Sequence, residues 1–152
     1  DAQFKLLEAT WTSCARLGIP VLSIDTKKKE MLGNFKRTGK TFSCQKLAAL
    51  DHDFVSFSNG TIIPHGIYDV ERNVGYLTIG NSHDTAEFVC DNIARIWKDY
   101  LQWEYPKATA ICILCDEGGS NSASHHIFKQ ELLKLATSLE LDIIIAHYYE
   151  AS

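Results

Sequence analysis

No apolar run in this 152-residue chain approaches the roughly 18 residues needed to span a bilayer, and the opening "DAQFKLLEATWTSC" lacks the charged-then-apolar pattern of a secretory leader. The chain therefore reads as soluble and intracellular, with no membrane partner. An even set of cysteines is also lacking. The five present, Cys14, Cys44, Cys90, Cys112 and Cys115, are irregularly spaced, which argues against a secreted disulfide framework. Cys112 and Cys115 form a C-x-x-C, but strand positions three apart face opposite sides, so the two cannot chelate one ion and read as buried structural thiols. There is no internal repeat, no low-complexity linker and no surplus of positive charge. A net charge of -4 and a pI near 5.8 would not by themselves suggest nucleic acid. The distribution is less even: Lys27, Lys28, Lys29, Lys36, Arg37, Lys40 and Lys46 crowd one stretch, opposed there only by Glu30, which leaves room for a basic patch on an acidic body.

What is present is the composition of one globular domain over residues 1–152, with 45% hydrophobic and 22% charged residues. Phe4, Leu7, Trp11 and Cys14 recur at helical spacing and Gly18 follows as a stop. After Pro20, "VLSID" is a short strand ending on Asp25. From Thr26 to about Gly60 the chain is polar, basic and punctuated by glycine, an excursion from the sheet. "TIIPHGIYDV" and "VGYLTIG" form a hairpin around "ERN", with Asn73 and Gly75 as turn residues.

The clearest helix follows "NSHDTAEF", where Asp84 and Glu87 have capping-box spacing and Phe88, Val89, Ile93, Ile96, Trp97, Tyr100 and Leu101 trace one face. Beyond Asn121, a second amphipathic helix places Ile127, Leu132, Leu133, Leu135, Ala136 and Leu139 on its apolar side. "DIIIAHYY" closes the succession as a buried strand.

Between these helices stands "ICILCDEGGSNS", residues 111–122, an apolar strand that ends at once on Asp116 and Glu117. Open α/β sheets place ligands at the carboxyl ends of their strands, so Asp116 is a candidate site residue, and Asp25 closes its own strand in the same way. The order helix, strand, excursion, hairpin, helix, strand, helix, strand predicts a ribonuclease H-like α/β fold, with a mixed five-stranded sheet flanked by helices. In that arrangement the strands ending on Asp25 and Asp116 are neighbours. Two carboxylates held together repel unless a cation sits between them, and oxygen ligands of this kind favour Mg²⁺ or Mn²⁺. A two-metal arrangement of this type serves phosphodiester hydrolysis and strand transfer.

The segments "SIDTKKKEMLGNFKRTGKTF", "HDF", "IPHGIYDVERNVGYLTIG", "HDTAEF" and "CDEGGSN" resemble, in order and spacing, the Rhodopirellula-type DDE transposases of bacterial insertion sequences, over nearly the whole chain. The resemblance implies a transposase catalytic core that cuts DNA ends and joins them to a target through a metal-bound Asp-Asp-Glu triad, in the bacterial cytoplasm and as a homo-oligomer on DNA. It maps the first two carboxylates to Asp25 and Asp116 and a two-metal Mg²⁺ or Mn²⁺ site to them. Family members carry a third glycine where Glu117 stands. They also continue from the strand ending near His147 into a Pro-Pro-Gly-Thr-Ser-Lys segment and a helix bearing the third carboxylate, whereas this sequence reads "HYYEAS". Glu150 lies too early for that role, so the expectation is a core lacking its C-terminal catalytic helix, binding metal loosely and poor at catalysis.

Beside the metal-binding Asp25, Lys27, Lys28, Lys29, Lys36 and Arg37 are expected to contact the phosphate backbone without reading sequence, and Asn121, next to Ser120, to reach DNA or a metal-bound water. His83 reads as a cap-ordering residue, His125 and His126 point apart on their helix, and Trp97, Trp103 and Tyr105 read as packing residues. Two rival readings are a non-catalytic nucleic-acid-binding remnant and a metal-dependent small-molecule phosphatase. The second lacks a glycine-rich phosphate loop.

Overall fold

Three parallel strands form one side of the sheet, and the apolar runs read from the sequence supply all of them. A computed structural model describes residues 2–27, 30–33, 59–81, 85–116 and 126–148. Helix α1 (Ala2–Arg16) leads through Gly18, at φ +68°, into β1 (Val21–Thr26). β2 (Glu30–Leu32), β3 (Gly60–Asp69) and β4 (Val74–Gly80) follow. Helix α2 (Ala86–Ile96) runs on through a π turn at Trp97–Leu101 into the single turn α3 (Gln102–Glu104). β5 (Ala110–Asp116), α4 (His126–Leu139) and β6 (Asp142–Tyr148) complete the order.

The sheet runs β2-β3-β1-β5-β6, with β4 on the other edge of β3. β1, β5 and β6 are parallel and β3 is antiparallel to β1, β2 and β4. This is the mixed sheet of a ribonuclease H-like fold, with six strands rather than the expected five. The extra one, β2, is three residues long and pairs with Gly60 to Ile62. A strand so short, set in a basic and polar stretch, has no alternation from which to be read.

Residues paired across strands share a face, and alternate residues along a strand change face. One face carries Leu22, Ile24, Ile67, Ile111, Ile113 and Cys115 into the main core, which α2 and α4 cover with Val89, Ile93, Ile96, Trp97, Phe128 and Leu135. The other face carries Val21 and Cys112, which α1 covers with Cys14. Cys112 and Cys115 do lie on opposite faces, as the strand period requires. Gly80 abuts α2 so closely that an added Cβ would stand 2.6 Å from the Phe88 ring.

Several expected details differ. The N-cap of α2 is Thr85, whose hydroxyl accepts from the Phe88 amide at 3.2 Å; the cap-forming residue is one place later than the Asp84 reading, since a Thr hydroxyl can also take this role. Tyr100 is exposed, its ring against Tyr76 at 5.4 Å, because the π turn widens the helix there and rotates the residue off the apolar stripe. Trp97 is buried, whereas Trp103 is on the surface. In α4, Phe128 and Leu135 face the core while Ile127 and Leu133 face outward. β6 is an edge strand with Ile144 partly exposed, not a fully buried one. Trp11 in α1 is likewise exposed, and Gly75 lies within β4 rather than in the turn. No helix among the described residues is long and apolar enough to cross a membrane.

Burial pushes the Cys90 and Cys112 thiols up from 9.0 to about 12, aided at Cys90 by Glu131 and Asp91 and at Cys112 by the adjoining Cys14. An acid with a raised folded pKa ionises first in the unfolded chain. The stability it contributes is complete below pH 9 and is lost as pH rises toward 12. We expect native protein to resist iodoacetamide at both thiols at pH 8, and the unfolding free energy from urea titrations to fall above pH 9 by up to about 1.4 kcal/mol per thiol per pH unit. Rapid alkylation of Cys90 or Cys112 under native conditions would contradict their burial.

Candidate metal and nucleic-acid site

The carboxyl ends of β1 and β5 place the two strand-terminal aspartates. Pairing of these parallel strands is defined from Val21↔Cys112 to Ser23↔Leu114. Two residues further on Asp25 and Asp116 close their strands, at positions that a continued register would set opposite each other. Ser23 and Asp25 share the face of Val21, and Leu114 and Asp116 that of Cys112, so both carboxylates project from the α1 side of the sheet. Asp25 is exposed and Asp116 half-buried. α1 covers this face near the start of β1, through Cys14, Val21 and Cys112, with Leu114 packed against them, and also lies along β6.

The row of strand-end positions extends sideways in both directions. Asp116 pairs with Tyr148 of β6, Asp25 with Gly66 of β3, and Gly66 with Leu77 of β4. The row beneath it runs from Leu114 through Ser23 and Tyr68 to Gly75. Ser23, Asp25, Gly66, Tyr68, Gly75 and Leu77 line a trough of about 400 Å³. Its floor is bare because two of its positions are glycine: a Cβ at Gly75 would meet nothing within 4 Å, and one at Gly66 only the Asp25 carbonyl oxygen at 3.8 Å. This trough was not legible beforehand, since Gly75 reads as a turn residue. The available signal was a glycine in each strand of a hairpin that also carries Pro64, Tyr68, Leu77 and Ile79 on that face.

Of the expected DNA contacts, Lys27 is described. It is exposed, its amide donates to the Pro64 carbonyl at 2.9 Å, and its ammonium pairs with Glu30. Lys28, Lys29, Lys36, Arg37 and Asn121 lie outside the described residues, as do His83, Glu117, Ser120, His125 and Glu150. His126 is exposed at the start of α4. No group of three or more His, Cys, Asp or Glu side chains that could hold a metal occurs among the described residues.

A second polar cluster, which the sequence does not announce, lies at the opposite end of the sheet. Asp69 is fully buried at the end of β3. Its two carboxylate oxygens each accept from the Tyr105 hydroxyl at 2.9 Å, and one accepts from the Arg72 amide at 3.2 Å. Arg72 reaches on to Glu104 at 3.1 Å and lies 3.8 Å from Asp69. Burial and the Asp69 carboxylate hold the Tyr105 phenol well above its ordinary range. This cluster ties the β3–β4 turn to the end of α3 and stands far from the aspartate row.

A family model described as the Rhodopirellula transposase DDE domain matches residues 1–151. Among solved structures, the Mos1 strand transfer complex superposes with a TM-score of 0.55 at 13% identity, over 98% of this chain and 41% of that one. The mariner Mos1 paired end complex with Mg gives 0.53 at 14% identity, over 99% of this chain and 40% of that one. The Mos1 paired-end complex with left transposon end gives 0.53 at 14% identity, over 94% and 40%. At such identities the likeness is one of fold, and the chain spans about 40% of the length of these proteins. No curated protein sequence matches the chain.

Proposed function

The chain belongs to the Rhodopirellula transposase DDE domain family, and from that premise we propose that it is the metal-dependent catalytic core of a transposase, acting on transposon ends and target DNA. The observation that supports the reading is that Asp25 and Asp116 close the carboxyl ends of two adjacent parallel strands, paired from Val21↔Cys112 to Ser23↔Leu114. The chemistry of that donor pair fits a hard dication: both ligands are carboxylates, and Cys115, which pairs with His147, points to the other face. Mos1 complexes with Mn and with Mg share this fold, which supports Mg²⁺ or Mn²⁺ here.

Asp25 and Asp116 would hold the ion, and when bound it supplies charge neutralisation at the phosphate and activation of the attacking water or hydroxyl. The rest falls to the chain itself. Strands paired on both sides fix the two carboxylates relative to each other, so little reorganisation is needed when substrate arrives. Lys27, two residues beyond Asp25 and paired with Glu30, offers a positive charge to a phosphate without reading a base, and Lys28, Lys29, Lys36, Arg37 and Asn121 extend that contact along the DNA.

A Mn²⁺ titration followed by loss of the free-ion electron paramagnetic resonance signal tests the shared site. Asp25→Asn and Asp116→Asn should each weaken binding by about a hundredfold, the upper end of what losing even an outer-shell partner costs. Unchanged affinity in either variant would remove that residue from the site.

A further inference from the structure

We propose that Cys14 and Cys112 are a redox latch: oxidation joins them in a disulfide that fastens α1 to β5, and reduction leaves the helix free to lift. The inference does not depend on the metal reading, because it rests on how α1 is held to the sheet. Cys14, Val21 and Cys112 make a buried cluster of their own on the α1 face, in which the two thiols adjoin. Two backbone bonds bring them together: the Ile19 amide donates to the Cys14 carbonyl, and the Cys112 amide to the carbonyl of the next residue, Pro20, each at 2.9 Å. Both thiols are free, at 4% and 0% exposure. Cys90 and Cys115 belong to the main core on the opposite face, so neither competes for Cys14.

Cys14 is also the one buried residue of α1 from Lys5 to Arg16. Leu6 and Trp11 on the same helix are 69% and 42% exposed. A helix anchored so lightly opens at a small fraction of the global unfolding cost, which brings Cys14 into water. Cys112 stays in place, since its strand is paired on both sides, by β1 and β6. With a low-molecular-weight disulfide as oxidant, the lifted Cys14 loses its proton and its thiolate attacks one oxidant sulfur. The S–S bond of the oxidant breaks and its other sulfur leaves as a thiolate. Cys112 then attacks the Cys14 sulfur of this mixed disulfide and expels the second oxidant sulfur. Two protein thiols are oxidised, the oxidant is reduced to two thiols, and the protons lost by the cysteines end on those leaving groups. Burial holds the Cys112 thiol up at about 12 while α1 is closed, so Cys14 reacts first and the second step occurs as α1 returns, before water is excluded. Leu114, packed against the pair, is the next residue on that face of β5 and Asp116 the one after. The latch therefore sets how firmly α1 is held beside the end of this strand.

Exposure of the folded protein to oxidised glutathione, followed by peptide mapping without reduction, reads the latch directly. A linkage between Cys14 and Cys112 is expected, removed again by dithiothreitol. Amide hydrogen exchange across α1 should slow by about tenfold or more in the linked protein, while that of β3 and β4 stays as it was. Cys112→Ala should stop at a glutathione adduct on Cys14, and Cys14→Ala should leave Cys112 unmodified. Should Cys112→Ala fail to fold, as judged by circular dichroism, the wild type and Cys14→Ala decide, since Cys14 lies on the lightly held helix. Absence of the linkage, linkage of Cys14 to Cys44 instead, or linkage formed in urea but not under native conditions would overturn the proposal. So would α1 exchange that the linkage leaves unchanged, or a glutathione adduct on Cys112 in Cys14→Ala that forms as fast as the wild-type linkage does.

Discussion

Replacing Asp69 by alanine is expected to lower the unfolding free energy by about 3–5 kcal/mol, the usual cost of breaking a buried, hydrogen-bonded charged cluster. The carboxylate is fully buried and takes the Tyr105 hydroxyl on both oxygens and the Arg72 amide on one. Removing it leaves a phenol and an amide without their acceptor, and the Arg72 guanidinium with Glu104 and the Tyr76 hydroxyl. Tyr105→Phe should cost less, about 1–2 kcal/mol, because the ring still fills its place and only one donor is lost. Urea unfolding of the two single variants and the double variant checks the assignment. Asp69 and Tyr105 share one bond network, so their effects should fall short of additive. Full additivity would mean that the two residues act separately, and the cluster would then be a coincidence of packing.

The aspartate row makes the opposite prediction in the absence of metal. Two like charges one strand apart near the surface repel by about 1 kcal/mol, so Asp116→Asn should be more stable than wild type in a chelating buffer, and less markedly so at high salt. With Mn²⁺ at a hundred times its dissociation constant, the order reverses. Wild type gains about 2.7 kcal/mol by mass action, several degrees in Tm for a domain of this size, and the variant gains almost nothing. Scanning calorimetry with and without Mn²⁺ reads both effects. A variant that is less stable than wild type without metal, yet responds to Mn²⁺ as wild type does, would mean that Asp116 serves the fold rather than an ion. The pattern expected is that of a functional site held at some expense to stability.

The sheet and the aspartate row were legible because both rest on local apolar runs with a sharp end. "VLSID" and "ICILCD" each stop on an acid, and adjacency of their strands follows from the succession of elements alone. Asp69 was not legible. In "YDVERN" it looks like an ordinary turn acid, and its burial depends on Tyr105, which the chain delivers to it from the far end of α2 and α3. The exposed side of α4 was misread for a related reason. Its apolar residues run around more of the helix than one face can bury, and periodicity alone does not say whether Phe128 or Leu133 meets the core. The cap of α2 shows how little separates two neighbouring candidates, since Asp84 and Thr85 can both accept an amide proton and helix geometry selects between them.

The parallel alignment of β1 with β5 also governs what changes in chain length this architecture tolerates. Inserting one residue inside β5 ahead of Asp116 would turn that side chain through the sheet into the apolar layer beneath α2 and α4, extinguishing the centre while leaving every helix in place. The spacing within two short strands is therefore locked by the register between them.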